Sequence, residues 1–257
     1  MSGSILISGL AMYALVFCRM GGMLFFNPLM MRSNVPAQIK AGLALGLTVL
    51  LTPTVAVGAA AISNDFALMF KMLAELLIGI AFGYIFQVFY YLLLFAGDVI
   101  DMSFGLSMAK AFDPGTNIQT SLSGKLLQVM FVLYFFVTNS HLVMIRIMVS
   151  SFELVPLGQV AFGEAVPQFL MELFVYAFSL AVRLTLPFVA ASFVLEISMG
   201  VLMKLIPQIN VFVIHFQMKV LYGLFLLLLF AHPLGEAMES YLNTMLTNMQ
   251  TVLQVFI

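Results

Sequence analysis

Charge is what this sequence has little of. Of its 257 residues only ten are Lys or Arg and eleven Asp or Glu, with a formal net charge of −1. Binding to nucleic acid needs a basic stripe that neutralises phosphates, and so few cations cannot supply one. No segment combines an apolar face with a Lys- and Arg-rich one, which excludes a helix that merely lies on a membrane surface. Cysteine occurs once, at Cys18, so no intrachain disulfide can form, and its apolar surroundings make it a packing residue. The three histidines, His141, His215 and His232, fall on separate segments. HExxH, CxxC, GxSxG and glycine-rich phosphate-loop patterns are all missing. The chain is therefore read as no enzyme, with no cofactor and no metal, and without direct use of ATP. No positive charge precedes Arg19, so the first apolar run lacks the basic start of a removable signal peptide and is expected to be retained.

What is abundant is apolar length. Hydrophobic residues make up 63% of the chain, and the mean hydropathy is +1.13. Uncharged runs such as 41–64, 76–97 and 126–145 reach the ~20 residues a helix needs to cross a ~30 Å hydrocarbon layer. Their apolarity is continuous, not alternating, which excludes a β-barrel. The pattern predicts an all-α integral membrane protein: a single bundle of helical hairpins over 1–257, with six long apolar helices over about 4–26, 41–62, 66–96, 124–149, 169–204 and 210–231. The fifth is too long for a perpendicular span. It must tilt steeply, break at Pro187 or project beyond the bilayer. Gly42 and Gly46, and again Gly79 and Gly83, have the four-residue spacing that lets another helix backbone approach closely.

A C-terminal amphipathic helix follows from Glu236. Met238, Tyr241, Leu242, Met245, Met249, Val252, Leu253 and Phe256 recur at three- and four-residue intervals and mark one buried stripe. The opposite face, Ser240, Asn243, Thr244, Thr247, Asn248, Thr251 and Gln254, is polar but uncharged. Such a face suits packing against other helices or lining a narrow aqueous space. Arg32, Lys40, Lys110, Lys125 and Lys204 fall on one side of the predicted topology and Lys71 and Arg146 on the other. The positive-inside rule then puts both termini outside the cytoplasm.

The stretch 97–117 departs from all this. It gathers Asp98, Asp101, Lys110 and Asp113 around glycines and an Asp113-Pro114-Gly115 turn, between two membrane-length runs. Polar groups there cost free energy unless they meet water or a partner. Asp98 and Asp101 share a helix face and could hold a cation, or could cap and solvate the end of the third helix. Too few oxygens are present for a cation cage. Glu172 and Arg183 fall on one side of the fifth helix, Glu196 lies on another and needs its own partner, and His141 reads as a hydrogen-bonded structural residue or a proton relay. Arg19, Asp98, Asp101, His141, Glu172, Arg183 and Glu196 are thus expected to be polar groups packed within the bundle. The 20 methionines mostly fill cores, but Met102 and Met108 lie in the polar stretch and are not assigned to one.

One family carries the same residues in the same order. Arg19, Pro28, Pro36 and Lys40 are followed by Glu75 and Gly79, by Ala96, Gly97 and Asp98, by Gly105, Leu106 and Ala109, and by Asp113, Pro114 and Gly115. Asn139, Ser140 and His141, Pro156, Leu157 and Gly158, Leu186 and Pro187, and Pro207 and Gln208 complete the set. Over nearly the whole chain this resembles the FliR family of type III export gate proteins, in its flagellar branch. Ser140 stands where Gly is expected, and Gln217 where Pro is. The resemblance implies a core subunit of the gate in the bacterial inner (cell) membrane at the flagellar basal body. It further implies a hetero-oligomer with P-type and Q-type gate subunits, with the export switch protein and the large export-gate subunit nearby, unfolded secretion substrates passing through, and membrane lipid around. The chain would comprise a P-like portion over about 1–180 and a Q-like helical pair over about 181–257. It would contribute a plug in the pore over about 105–124. Phe104, Met108 and Phe112 would seal it, Gly105, Pro114 and Gly115 would hinge it, and Lys110 and Asp113 would keep it wettable. A cation-coupled transporter or ion channel using Asp98, Asp101 and Glu172, and a structural assembly factor for the gate, are the alternatives.

Overall fold

The computed structural model describes residues 2–31, 35–55, 65–107, 121–159, 163, 165–206 and 211–256, and its elements there are all helical. In order they are α1 (Ser2–Phe25), a single turn α2 (Pro28–Met31), α3 (Ala37–Leu51), α4 (Asp65–Ser103), α5 (Leu122–Val137), α6 (Ser140–Leu154), α7 (Ala165–Leu205), α8 (Val211–Leu229) and α9 (Ala231–Val255). α1 stops at Asn27, whose side chain accepts the Leu29 N–H at 2.9 Å and starts α2 with Pro28 in its first position.

α4 and α7 are each long and apolar enough to cross a membrane, and the bent pairs α5–α6 and α8–α9 raise the number of spans to four if each pair is one broken span. At 1.5 Å per residue, α4 and α7 measure about 60 Å, roughly twice the hydrocarbon thickness. Of the membrane-length window, 67% is buried in α4 but 17% in α7. α4 is therefore a core helix, while α7 turns its apolar surface away from its own chain.

Four expected features of the helices change. α7 runs unbroken through Pro187, which costs the backbone bond to the Arg183 carbonyl without ending the helix, so tilt or projection must absorb its length. The expected fourth helix is two, bent by 71° at Thr138 and Asn139. Asn139 adopts φ 57°, a left-handed conformation that asparagine tolerates better than other side chains, and the apolar pattern runs through it unchanged. The third helix, expected to end near Ala96, continues through Asp98 and Asp101 to Ser103. The C-terminal helix begins at Ala231 after a 62° bend, with Pro233 in its first turn, where no backbone N–H is needed.

The chain divides into two compact units. The first comprises 1–89, 139–174 and 243–257. Its core takes Leu15, Val16, Met20 and Met23 from α1, Ile78, Phe82 and Phe86 from α4, Ile147 and Phe152 from α6, and Met245, Met249, Val252 and Leu253 from α9, all buried. α3 packs on α1. The second comprises 90–138 and 175–242, and its core is aromatic. Tyr90 meets Phe131 edge-on at 5.8 Å, Phe131 stacks on Phe135, and Phe188 lies 5.4 Å from Phe230.

Candidate functional site

The polar stretch is partly helix and partly turn. Met102 stands exposed on the last turn of α4, and Gly105, at φ 72°, ends the helix in a conformation that other residues resist. Phe104, expected in a pore seal, is fully buried instead. Its ring fits over Gly223 of α8, where an added Cβ would come within 2.6 Å of the ring, and it meets Tyr222 edge-on at 6.2 Å. It anchors the end of α4. Met108, Lys110, Phe112, Asp113, Pro114 and Gly115 lie outside the described residues. Residues 122–124, the end of the expected 105–124 segment, are the first turn of α5.

Asp101 holds that first turn. Its buried carboxylate accepts the N–H of Leu122 at 2.7 Å and that of Ser123 at 3.2 Å, while the Ser121 hydroxyl accepts the N–H of Gly124 at 3.0 Å. Three otherwise unpaired donors of α5 are satisfied, and the negative charge sits at the positive end of the helix dipole. Backbones touch beside it: a Cβ on Gly97 would overlap Gly124. The acid expected to cap its own helix thus fastens the next one. Both of its oxygens accept backbone hydrogen bonds. Asp98 is half-buried on the same helix end.

In the first unit Arg19 is the centre of a second polar cluster. Its Nε donates to the Glu75 carboxylate, Nη1 to the Ser151 carbonyl at 2.7 Å and Nη2 to the Val155 carbonyl at 3.0 Å, with the Phe152 ring 4.5 Å from the guanidinium carbon. The other Glu75 oxygen accepts the Gly158 N–H at 2.9 Å. One buried ion pair therefore ties α1 and α4 to the C-terminal end of α6 and to the turn at Pro156, Leu157 and Gly158, where Gly158 has φ 72°. Glu75 has a role here that its sequence position only hinted at. An acid within an apolar run needs a partner, and the nearest charge on its own helix, Lys71, is not the one it takes. The helices cross closely because Gly79 faces Gly22, and an added Cβ on Gly79 would lie 2.8 Å from the Gly22 Cα. Gly83 rests on Phe26 in the same way. Gly42 and Gly46 differ: an added Cβ there meets nothing within 4 Å, so no helix among the described residues fills the face they make.

The remaining polar residues are dispersed. Glu196 accepts from Lys219 at 2.6 Å, which joins α7 to α8 in a partly exposed ion pair. Glu172 is exposed and takes a hydrogen bond from Gln168 one turn earlier, Arg183 is exposed, and His141 is half-buried at the start of α6. The C-terminal stripe is buried at every position from Met238 to Phe256 that the spacing marked.

Comparison with known proteins agrees with the membrane architecture and the order of motifs. Residues 10–245 match the family of bacterial export proteins, family 1. The flagellar biosynthetic protein FliR of Escherichia coli K12 is 26% identical over 221 residues, 86% of this chain and 84% of that protein. Its counterpart in Bacillus subtilis 168 is 26% identical over 244 residues, 94% of each chain, and that of Aquifex aeolicus 26% over 219 residues, 84% of this chain and 83% of the other. A non-enzymatic chain, helical in its described elements and with two to four candidate membrane spans among the described residues, matched over most of its length, belongs to the bacterial export proteins, family 1.

Proposed function

We propose that this chain is a core subunit of the flagellar type III export gate, that it forms part of the pore for unfolded axial proteins, and that the segment after Gly105 is a plug. Family membership supports export. The observation that carries the plug is the Asp101 clamp, which holds the start of α5 against the end of α4 independently of the residues between them. A segment tied at both ends can be displaced by cargo and return without unfolding its flanking helices.

Exposure supports the proposed surroundings. α7 carries Phe193, Val194, Ile197 and Val201 on an open apolar face, which suits P-type and Q-type subunits or lipid. The P-like portion would span about 1–180 and the Q-like pair 181–257, with the export switch protein and the large gate subunit nearby. The test replaces residues 107–120 with a short Gly/Ser linker, sparing Asp101, Phe104, Ser121 and Gly124. The apparatus should still co-purify with its partners but leak small ions and solutes; a leak equal to that of the unaltered complex removes the plug.

A further inference from the structure

α7 carries one cation that its own surroundings do not answer. Arg183 is exposed near the middle of this 41-residue helix, and among the described residues it takes part in no hydrogen bond or ion pair. The nearest acids along the helix are already engaged. Glu172, about 16 Å before it along the axis, accepts from Gln168, and Glu196, about 20 Å after it, pairs with Lys219. Pro187, one turn on, leaves the Arg183 carbonyl without its helical donor. At about 100° per residue, Tyr176, Leu186, Ala190, Val194, Ile197 and Val201 fall within about 60° of Arg183 around the helix, and all are exposed.

Water, lipid or protein could cover this stripe. Bulk water would leave an apolar surface about 27 Å long uncovered from Arg183 to Val201. Lipid alone is excluded by the charges of α7. If the residues after Arg183 filled a hydrocarbon layer of ~30 Å, with the guanidinium among the headgroups, Glu196 would lie about 20 Å deep with its side chain 44% exposed. A layer on the other side of Arg183 would enclose the exposed Glu172, and a layer centred on Arg183 would enclose the unpaired guanidinium itself. Protein remains, and its chemistry is set by what Arg183 lacks. A guanidinium covered by apolar surface needs a carboxylate, which it can hold through two parallel hydrogen bonds, while the freed Arg183 carbonyl accepts from a hydroxyl or amide beside that acid. An exported chain of changing sequence cannot supply an acid at a fixed level. The acid therefore belongs to a resident subunit.

From this we infer that the Arg183 face of α7 packs against a helix of another gate subunit, and that this helix carries an Asp or Glu at the level of Arg183. The inference rests on the gate reading above and adds to it the contact that selects the partner. The test places a photo-crosslinking amino acid at Leu186 in the assembled complex. An adduct to another gate subunit is expected, with an Asp or Glu within one helical turn of the crosslinked residue. Arg183→Glu should lower the amount of that subunit that co-purifies by at least about tenfold, because it sets two carboxylates against each other, and Arg183→Lys, which keeps the charge without the planar fork, should lower it less. Replacing the identified acid by Arg in the Arg183→Glu background should restore co-purification, which a folding defect would not allow. Adducts to lipid, to an export substrate or to a second copy of this chain, no adduct at all, normal assembly of the Arg183→Glu chain, or failure of the exchanged pair to restore assembly would each overturn the inference and leave the gate reading standing. Loss of the gate reading itself would show separately, as normal export by cells that lack this chain.

Discussion

Arg19 and Glu75 lie 56 residues apart in sequence and meet as a fully buried ion pair. Each side chain is further occupied by backbone: the guanidinium by two carbonyls at the end of α6, the carboxylate by the Gly158 N–H. Burial makes such a pair expensive to form and more expensive to break, since a lone survivor is left charged without water.

Arg19→Ala should therefore destabilise the first unit by about 3–5 kcal/mol, a large share of the stability of any single domain. Glu75→Gln should cost less, because the amide oxygen can still accept from Gly158 or Arg19. Thermal unfolding of the detergent-solubilised complex measures both. If the double substitution to Met at both positions is more stable than Arg19→Ala alone, the loss comes from the stranded charge; a double variant as damaged as the single would place it in lost packing.

The two glycine pairs should respond differently to the same change. Gly79→Ala drives a methyl into the Gly22 backbone and should cost about 1–3 kcal/mol as the helices move apart. Gly46→Ala meets no atom of the described residues and should raise helix stability by up to about 1 kcal/mol. Gly46→Leu then asks a separate question. Loss of co-purifying gate subunits from a chain that still folds would place a partner on the open face of α3, and unchanged co-purification would leave that face to lipid.

How much of this could be read in advance depended on the range of the interaction. The α9 stripe was legible to the residue because a helix repeats every 3.6 positions and one face was buried throughout. The membrane class was legible because α4 and α7 are long and apolar in themselves. The Asn139 break was not, since a single left-handed residue leaves the apolar pattern intact. Nor was the partner of Asp101, because the donors it satisfies belong to a helix that begins 21 residues later. Periodicity carries no information about which distant backbone a side chain will reach. Arg19 was recognisable as a charge in need of a partner, but choosing Glu75 over other acids required the close crossing at Gly22 and Gly79.

Asp101→Ala should release the first turn of α5. Loss of a helix-capping side chain costs about 0.5–2 kcal/mol, and burial of the freed N–H groups adds to it. The informative readout is leak per assembled complex. On the plug reading it rises while assembly persists, and Asp101→Asn, which keeps one acceptor oxygen, lies between the two. A fall in assembly with unchanged leak would make Asp101 purely structural.

Phe104 and Gly223 should behave as a coupled pair. Phe104→Ala empties a fully buried aromatic site and should cost about 3–5 kcal/mol, while Gly223→Ala should destabilise by overpacking, because its methyl would occupy the space of the Phe104 ring. Combined, the two changes should cost less than their sum, since the methyl then enters a hole that Phe104 no longer fills. Denaturation of the four complexes gives the coupling energy directly. Additive costs would mean that the end of α4 does not rest on α8, and the anchor assigned to Phe104 would have to be sought among other contacts of the same helix.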